Sequence, residues 1–202
     1  PSLSLFTKQK KTRLERQVTC QHTVWIFIVD LGNLMYPISK GYGEVIIRLD
    51  ALSNNGHHAE ALLASVFAME KTVRRSLRYC MLNRGFTSVQ CDKLLERKGF
   101  KDMTGYWPVF DKEHRSLPDF IGQNNWQHVP KAVKMRNEMV HGARVFNLTD
   151  CRDATLDVRQ ALDALRNRSI AELTCDPWST LPSKRKSSLL WLAIPQPKAP
   201  SK

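Results

Sequence analysis

The chain has 202 residues, of which 42% are hydrophobic, and its formal net charge is +12 at pH 7. This length suits one core, so we expect a single domain with tails. Residues 1–17 and 184–202 together carry a net charge of +9, and residues 18–183 carry +3. We therefore expect the two tails to attract RNA, DNA or an acidic partner. Their charge does not identify a functional site. The longest apolar run, Val24 to Val29, is far shorter than the roughly 20 residues that span a membrane, which excludes a membrane protein.

The cysteines are spread along the chain without a C-x-x-C pair or a histidine at ligand spacing, so we expect no zinc site. Their odd number and low density, with no signal-peptide pattern, predict a protein of the reducing cytoplasm. The five are Cys20, Cys80, Cys91, Cys151 and Cys175.

Residues 1–41 form an N-terminal extension in this interpretation, basic at first and then apolar, with a strand predicted at Val24–Val29. The strand leads into Asp30-Leu31-Gly32-Asn33, which is similar to the first strand of PIN- or NYN-type metal-dependent nucleases. Such a site needs several carboxylates around Mg²⁺, and the extension has room for one strand rather than a sheet. We therefore favour a segment that packs on a helical core, pairs across a dimer or lies partly outside any domain.

Two helices separated by Gly56 are predicted next, over Val45–Leu52 and from His57 to Met81. In the second helix, apolar residues recur at steps of three and four, which indicates one face in the core. This apolar stripe consists of Ala59, Leu62, Leu63, Val66, Val73, Leu77 and Met81.

Thr87 and Gln90 form a capping-box pattern for a short helix that stops at Gly99. Residues 100–127 mix Gly, Pro, Asp and aromatic residues without a period and predict a long loop with aromatic anchors. Pro130 suits the first turn of a helix that runs to His141. The predicted anchors are Trp107, Phe110, Phe120 and Trp126.

The last helix is predicted to begin after Asp150, a good N-cap residue, and to bury an apolar stripe. Residues 171–202 are then a basic, proline-containing tail. Its Lys184-Arg185-Lys186 run favours disorder over a nuclear signal, because short basic runs are frequent. The stripe consists of Ala154, Val158, Ala161, Leu162 and Leu165.

Arg136-Asn137-Glu138-Met139-Val140-His141-Gly142 is the stretch that suggests chemistry, because it holds a permanent cation, an amide and an imidazole. Asn137 and His141 lie about 40° apart on a helix, so the amide can orient the imidazole, whereas only the length of Arg136 brings it to the same cleft. Gly142 occupies a helix C′ position, which places His141 in the final turn, where carbonyls favour the imidazolium. Arginine and histidine near a helix end are also common surface residues, so both interpretations stay open. The functional one predicts that Arg136 and His141 face a solvent-filled cleft.

Glu70 lies on the apolar stripe of the second helix, between Val66 and Val73. A carboxylate there is paired or partly exposed in a cleft. It forms an i,i+4 salt bridge with Arg74, or it orients Arg136 or His141 from the neighbouring helix.

From Tyr42 to Asn167, about 125 of the 202 residues, the chain resembles the HEPN domain superfamily. The resemblance rests on the helix–Gly–helix unit ending at Glu70, on Arg136-Asn137 with His141-Gly142, and on the closing helix. It implies an all-α, antiparallel bundle of four to five helices over residues 42–170. Ribonuclease members carry Arg-Asn followed by His after four intervening residues, the spacing found here.

The resemblance implies metal-independent, cofactor-free cleavage of RNA by the adjacent ribose 2′-OH, with no cleavage of DNA. His141 would move the proton, Arg136 would offset charge on the phosphoryl oxygens, Asn137 would hold the imidazole or the phosphate, and Glu70 would complete the site. One histidine per chain is short of an acid and a base, so a homodimer with a shared cleft is implied. The role implied is that of a toxin, a defence protein or an RNA-processing component, and the partners extend to an antitoxin or other regulatory protein.

The chain departs from one toxin branch of the family, in which a tyrosine two residues after the histidine is modified by a partner nucleotidyltransferase. Here Gly142-Ala143 follows His141, so that regulation does not carry over. Many members are also inert. The alternative function is therefore a non-enzymatic module that binds nucleotide, RNA or protein, with Arg136 as a phosphate contact. A purely structural dimerisation domain is a third hypothesis, and it requires a buried His141.

Overall fold

The computed structural model describes residues 41–188, and every regular element in that range is a helix. The all-α fold class is thus confirmed. The predicted strand at Val24–Val29 and Cys20 lie outside the described residues. The helices are α1 (Tyr42–Asn54), α2 (His58–Asn83), α3 (Ser88–Leu95), α4 (Phe100–Phe110), α5 (Leu117–Ile121), α6 (Gln123–Trp126), α7 (Val129–Val140) and α8 (Leu148–Leu173).

The two longest helices, α2 and α8, pack side by side and run in the same direction. Ser76 and Ser169 share a hydrogen bond of 3.1 Å. Closer to the C-terminal end of both helices, the Tyr79 and Thr174 hydroxyl groups are 3.5 Å apart, so the two helices run in parallel. Helix α1 runs the opposite way along α8, because Asp50 in its second half accepts a hydrogen bond from Arg159, whereas its first residue, Tyr42, donates one to Asp163, farther along α8. The shorter helices α3 to α7 lead the chain from the end of α2 back to the start of α8, as a parallel pair requires.

The central core is formed where apolar stripes of α2 and α8 meet the short helices. The predicted stripe of α2 is largely confirmed, since Leu62, Val66, Val73, Leu77 and Met81 are all inaccessible to solvent. Buried side chains of this kind contribute about 1.5–3 kcal/mol each to folding. The closing helix buries the predicted set as well: Ala154, Val158, Ala161, Leu162 and Leu165.

The prediction of a long loop over residues 100–127 is wrong, because the segment folds into α4, α5 and α6. Local hydrogen bonds cap the starts of α4 and α5. At α4 the Gly99 N–H donates to Asp102 at 3.2 Å, and at α5 the Asp119 N–H donates to the Ser116 hydroxyl at 3.3 Å. Helices α5 and α6, of five and four residues, are too short to display a helical period. Of the four predicted anchors, two are fully buried, Trp107 and Phe120, and two are partly buried, Phe110 and Trp126.

Two of the three predicted helix starts are confirmed. Gln90 and Thr87 exchange both capping bonds at the start of α3, at 2.8 and 3.2 Å, and Pro130 lies in the first turn of α7. The prediction that Asp150 caps the last helix is wrong, because α8 begins at Leu148 after Asn147. Asp150 lies in the first turn instead, where its carboxylate still favours the positive end of the helix dipole.

Residues 174–188, which belong to the predicted tail, pack along α2 up to the end of the described range. Arg75 donates to carbonyl oxygens of Pro177 and Ser179, and Lys184 exchanges two hydrogen bonds of 2.9 Å with Ser88. The predicted disorder is therefore wrong for Lys184. Between residues 41 and 188 none of the helices has both the length and the apolar character needed to cross a membrane.

Candidate functional site around Arg136 and His141

Helix α7 carries the Arg136–His141 stretch and ends in the way its glycine predicts. Gly142 has φ = 65°, and two backbone bonds close the helix, from Gly142 N–H to Met139 O at 3.1 Å and from Ala143 N–H to Glu138 O at 2.8 Å. This is the Schellman arrangement, which needs a left-handed residue at C′. His141 is consequently the exposed C-cap of α7, beside the negative end of its dipole.

Arg136 points away from the solvent and pairs with Glu70 of α2. Its guanidinium donates through Nη2 to Glu70 Oε1, and it lies over the Phe67 ring at 4.9 Å from the centroid. The side chains are only 14% exposed for Arg136 and 23% for Glu70. His141 is thus exposed to solvent, as predicted, whereas Arg136 is a largely buried ion-pair partner.

Burial raises the pKa of Glu70 above its ordinary value, because removing a carboxylate from water outweighs the lowering effect of the Arg136 charge and hydrogen bond. Arg74 lowers the same pKa slightly through its charge. Its own hydrogen bonds go elsewhere, to the carbonyl oxygens of Leu95 and of Lys98, the latter at 2.8 Å. Of the predicted partners of Glu70, which were Arg74, Arg136 and His141, Arg136 makes the contact.

Arg136 retains unused hydrogen-bonding capacity. Its Nε–H is buried and has no hydrogen-bond partner within residues 41–188. A guanidinium offers five donors, and a buried donor without a partner costs free energy that an incoming acceptor oxygen would recover. The ion pair with Glu70 therefore positions the guanidinium without using all of it.

A groove of about 900 Å³ opens beside this pair. Glu70, Arg136 and Asn137 lie at one end of its lining, which brings together three of the four predicted site residues. His141 is outside that lining. It follows Asn137 by one helical turn on the same face of α7, so its backbone lies about 6 Å farther along the helix axis.

The second wall of the groove consists of residues from the segment predicted to be a loop. Helix α4 contributes Phe100, Lys101, Thr104 and Gly105, and α6 contributes Trp126. Two patterns in the sequence pointed to α4: the Gly99-x-x-Asp102 capping arrangement and the apolar spacing of Phe100, Met103 and Trp107.

Asn137 is exposed, and no hydrogen bond joins its side chain to the imidazole of His141 in the part of the chain that the structure describes. The contact between these residues is a backbone bond of 3.0 Å, from the His141 N–H to the Asn137 carbonyl. The shared helical face thus brings the two side chains into one neighbourhood, and the orienting role of the amide stays a prediction.

Three exposed apolar side chains lie close to His141 along the chain. Val140 precedes it, and Val145 and Leu148 follow in the connection to α8 and its first turn; Val145 is 93% exposed. The Arg144 guanidinium lies over the partly buried Phe146 ring, 4.9 Å from its centroid. An apolar surface beside a polar site suits contact with another protein surface.

The described cysteines do not resemble activated thiols. Cys80, Cys91, Cys151 and Cys175 are free and buried. Burial raises the pKa of Cys80 to about 12 and that of Cys175 to about 11, so both thiols stay protonated near neutral pH. Among residues 41–188 no cluster of three or more His, Cys, Asp or Glu side chains is arranged to hold a metal ion.

Comparison with known proteins adds no relative: no protein-family model, no curated protein and no solved structure matches this chain. Function is therefore inferred from the charge, exposure and spacing of the residues themselves. The relevant set is an exposed imidazole, a neighbouring amide and a largely buried arginine–glutamate pair at the end of one groove.

Proposed function

We propose that the chain is a metal-independent endoribonuclease of the HEPN type. The observation that carries the proposal is the position of His141, exposed at the end of α7 one turn beyond a groove that Arg136 and Asn137 line. A purely structural role for this stretch required a buried imidazole. The exposure of His141 therefore favours chemistry or binding over that third hypothesis.

In the proposed reaction the ribose 2′-oxygen attacks the adjacent phosphorus, forming an O2′–P bond as the P–O5′ bond breaks. One imidazole accepts the 2′-OH proton and a protonated group delivers a proton to the leaving 5′-oxygen, so proton count is preserved. Negative charge builds on the nonbridging oxygens. Arg136 would meet it with its remaining N–H donors, held in place by Glu70, and Asn137 would contact the phosphate or the imidazole.

A homodimer belongs to the same proposal, because one chain provides one imidazole in this stretch. Val140, Val145 and Leu148 are exposed and close to His141 along the chain, so a symmetric contact through them would bring the His141 side chains of two chains near each other. The second imidazole would then supply the other proton-transfer group. The resemblance further suggests a toxin, defence or RNA-processing role, with an antitoxin or other regulatory protein as partner.

The second candidate is a catalytically inactive HEPN-type module that binds nucleotide, RNA or protein. The ion pair between Arg136 and Glu70 favours it, because a guanidinium already neutralised by a carboxylate has less charge to offer a transition state. In that case Arg136 contacts phosphate only through its remaining donors, and His141 transfers no proton.

The deciding experiment incubates the purified chain with structured RNA in excess EDTA, beside His141→Ala and its control His114→Ala. His114 is also exposed but lies between α4 and α5, outside the α7 stretch. We expect cleavage by the wild type and by His114→Ala, and none by His141→Ala. Cleavage that needs Mg²⁺ or Mn²⁺, or that survives His141→Ala, would contradict the mechanism, and RNA binding without cleavage would support the module.

A further inference from the structure

The groove beside Arg136 has an aromatic floor. Phe100 and Trp126 stack with their ring centroids 5.7 Å apart and their planes only 12° from parallel. Phe100 is buried, whereas Trp126 remains partly exposed, and both rings line the groove. A partly exposed indole in an existing stack is suited to extension by another flat ring.

Gly105 keeps one wall of the groove open. It lies inside α4, where glycine is less favourable than alanine. No atom approaches within 4 Å of the position that a Cβ would occupy there, so packing within the described chain does not require a glycine. The missing side chain leaves space in front of the aromatic floor.

Lysines stand at the rim. Lys101 of α4 and Lys134 of α7 line the groove from opposite walls, and both are exposed. The Lys134 ammonium is 3.8 Å from the Glu138 carboxylate, and its side chain is 76% exposed. A surface pair at that distance is weak and open to competition by a phosphate group. An aromatic floor between two cationic rims is the arrangement that single-stranded nucleic acid binds.

We propose that this groove binds an unstacked nucleobase of single-stranded RNA, with the base on Trp126 and the neighbouring phosphates at Lys101 and Lys134. This inference rests on the proposed function, which determines where the bound base lies relative to the cut. A strand that follows α7 out of the groove passes Asn137 and then His141, whose backbone lies about 6 Å farther along the helix axis. The base held by Trp126 therefore belongs to the same strand and lies on the groove side of the linkage to be cut. Because stacking on Trp126 needs a base that is free of its pair, the substrate class is single-stranded or looped RNA.

The test measures binding apart from cleavage, by fluorescence anisotropy with a short, labelled 2′-O-methyl oligoribonucleotide that lacks the nucleophile. Gly105→Leu fills the groove, and Gly43→Leu is its control, because Gly43 is exposed in α1 with open space around its Cβ position. We expect Gly105→Leu to weaken binding by about five- to a hundredfold, the range for loss of one base–aromatic stack, and Gly43→Leu to leave it unchanged.

A second pair of variants guards against a folding defect. Trp126→Phe preserves a flat ring and should bind nearly as the wild type does, whereas Trp126→Leu should bind as weakly as Gly105→Leu. Melting temperatures identify any variant that has lost its fold. His114→Ala should bind the oligonucleotide as the wild type does, because His114 is exposed between α4 and α5 and does not line the groove.

The outcomes separate this inference from the proposed nuclease. Binding that Gly105→Leu abolishes, with no cleavage of ordinary RNA, supports the groove and removes the nuclease. Cleavage with oligonucleotide affinity unchanged in Gly105→Leu retains the nuclease and overturns the groove. Equal affinity for the strand and for its duplex, or no oligonucleotide binding by the wild type, also overturns it, and the latter would leave a protein helix as the occupant.

Discussion

Glu70 of α2 accepts a hydrogen bond from Arg136 of α7, and this contact ties the helix with the functional stretch to the central helix of the core. Both side chains are mostly shielded from solvent. The same arginine is therefore a structural element and a candidate for phosphate binding, whereas His141, five residues later, is exposed. The two residues of the motif should respond differently to substitution.

Arg136→Ala should lower the free energy of unfolding by about 1–3 kcal/mol, because it leaves the Glu70 carboxylate poorly solvated and unpaired. His141→Ala should change it by no more than about 0.5 kcal/mol, as is usual for exposed positions. Both variants should lose cleavage. Chemical denaturation and an RNA cleavage assay provide the two measurements, and equal stability of the variants would contradict the buried position of Arg136.

Glu70 should titrate above its ordinary pKa, and Arg136→Ala should raise its pKa further by removing the charge and the hydrogen bond that lower it. Carboxyl-carbon NMR of the wild type and the variant measures both. A raised pKa means that the folded state binds the proton more tightly. The contribution of Glu70 to stability is thus present below about pH 4.5, the unfolded pKa, and is lost as pH rises through the folded pKa.

The pH window can be isolated by comparing the wild type with Glu70→Gln, which does not titrate. The stability of the wild type relative to Glu70→Gln should increase as the pH falls through the raised pKa. Denaturation curves across that range measure the difference. An opposite slope would show that the Arg136 charge outweighs burial at this site.

The cleavage products should carry 2′,3′-cyclic phosphate, or its opened form, and 5′-hydroxyl ends. A substrate with one 2′-deoxy nucleotide at the cut site should resist, because it lacks the nucleophile. Mass spectrometry of the products, with a 2′-deoxy substitution elsewhere in the strand as the control, makes the comparison. Ends with 5′-phosphate would contradict attack by the 2′-OH.

Val145→Asp should convert a dimer into a monomer and reduce cleavage, because it places a charge on the apolar surface around His141. Val89→Asp is the matched control, since Val89 is 76% exposed in α3. Analytical ultracentrifugation and the cleavage assay compare the two. Full activity from a demonstrated monomer would remove the shared cleft.

Gly142→Ala should lower the free energy of unfolding by about 1 kcal/mol or more, because residue 142 has φ = 65°, where a Cβ is strained. Relaxation of that turn would move His141 from its C-cap position and reduce cleavage. Gly43→Ala, inside α1 with open space around it, should raise stability slightly. Thermal unfolding of the two variants should shift in opposite directions.

Local patterns in the sequence were sufficient to predict α2, the capping box at Thr87 and the end of α7 at Gly142, because bonds between residues three to five apart determine each of them. The same applies to the joint position of Asn137 and His141 on one helical face. These periods agreed with the all-α class that the resemblance implied.

Only the tertiary structure decided which helices meet. Arg74 and Arg136 were both possible partners for Glu70, and the packing of α7 against α2 selected the more distant residue. The groove depends in the same way on α4, which is anchored by the buried Trp107, and on α6, which places the partly buried Trp126 in the lining. Contacts between residues far apart in the chain carry no period, so their choice is made by packing.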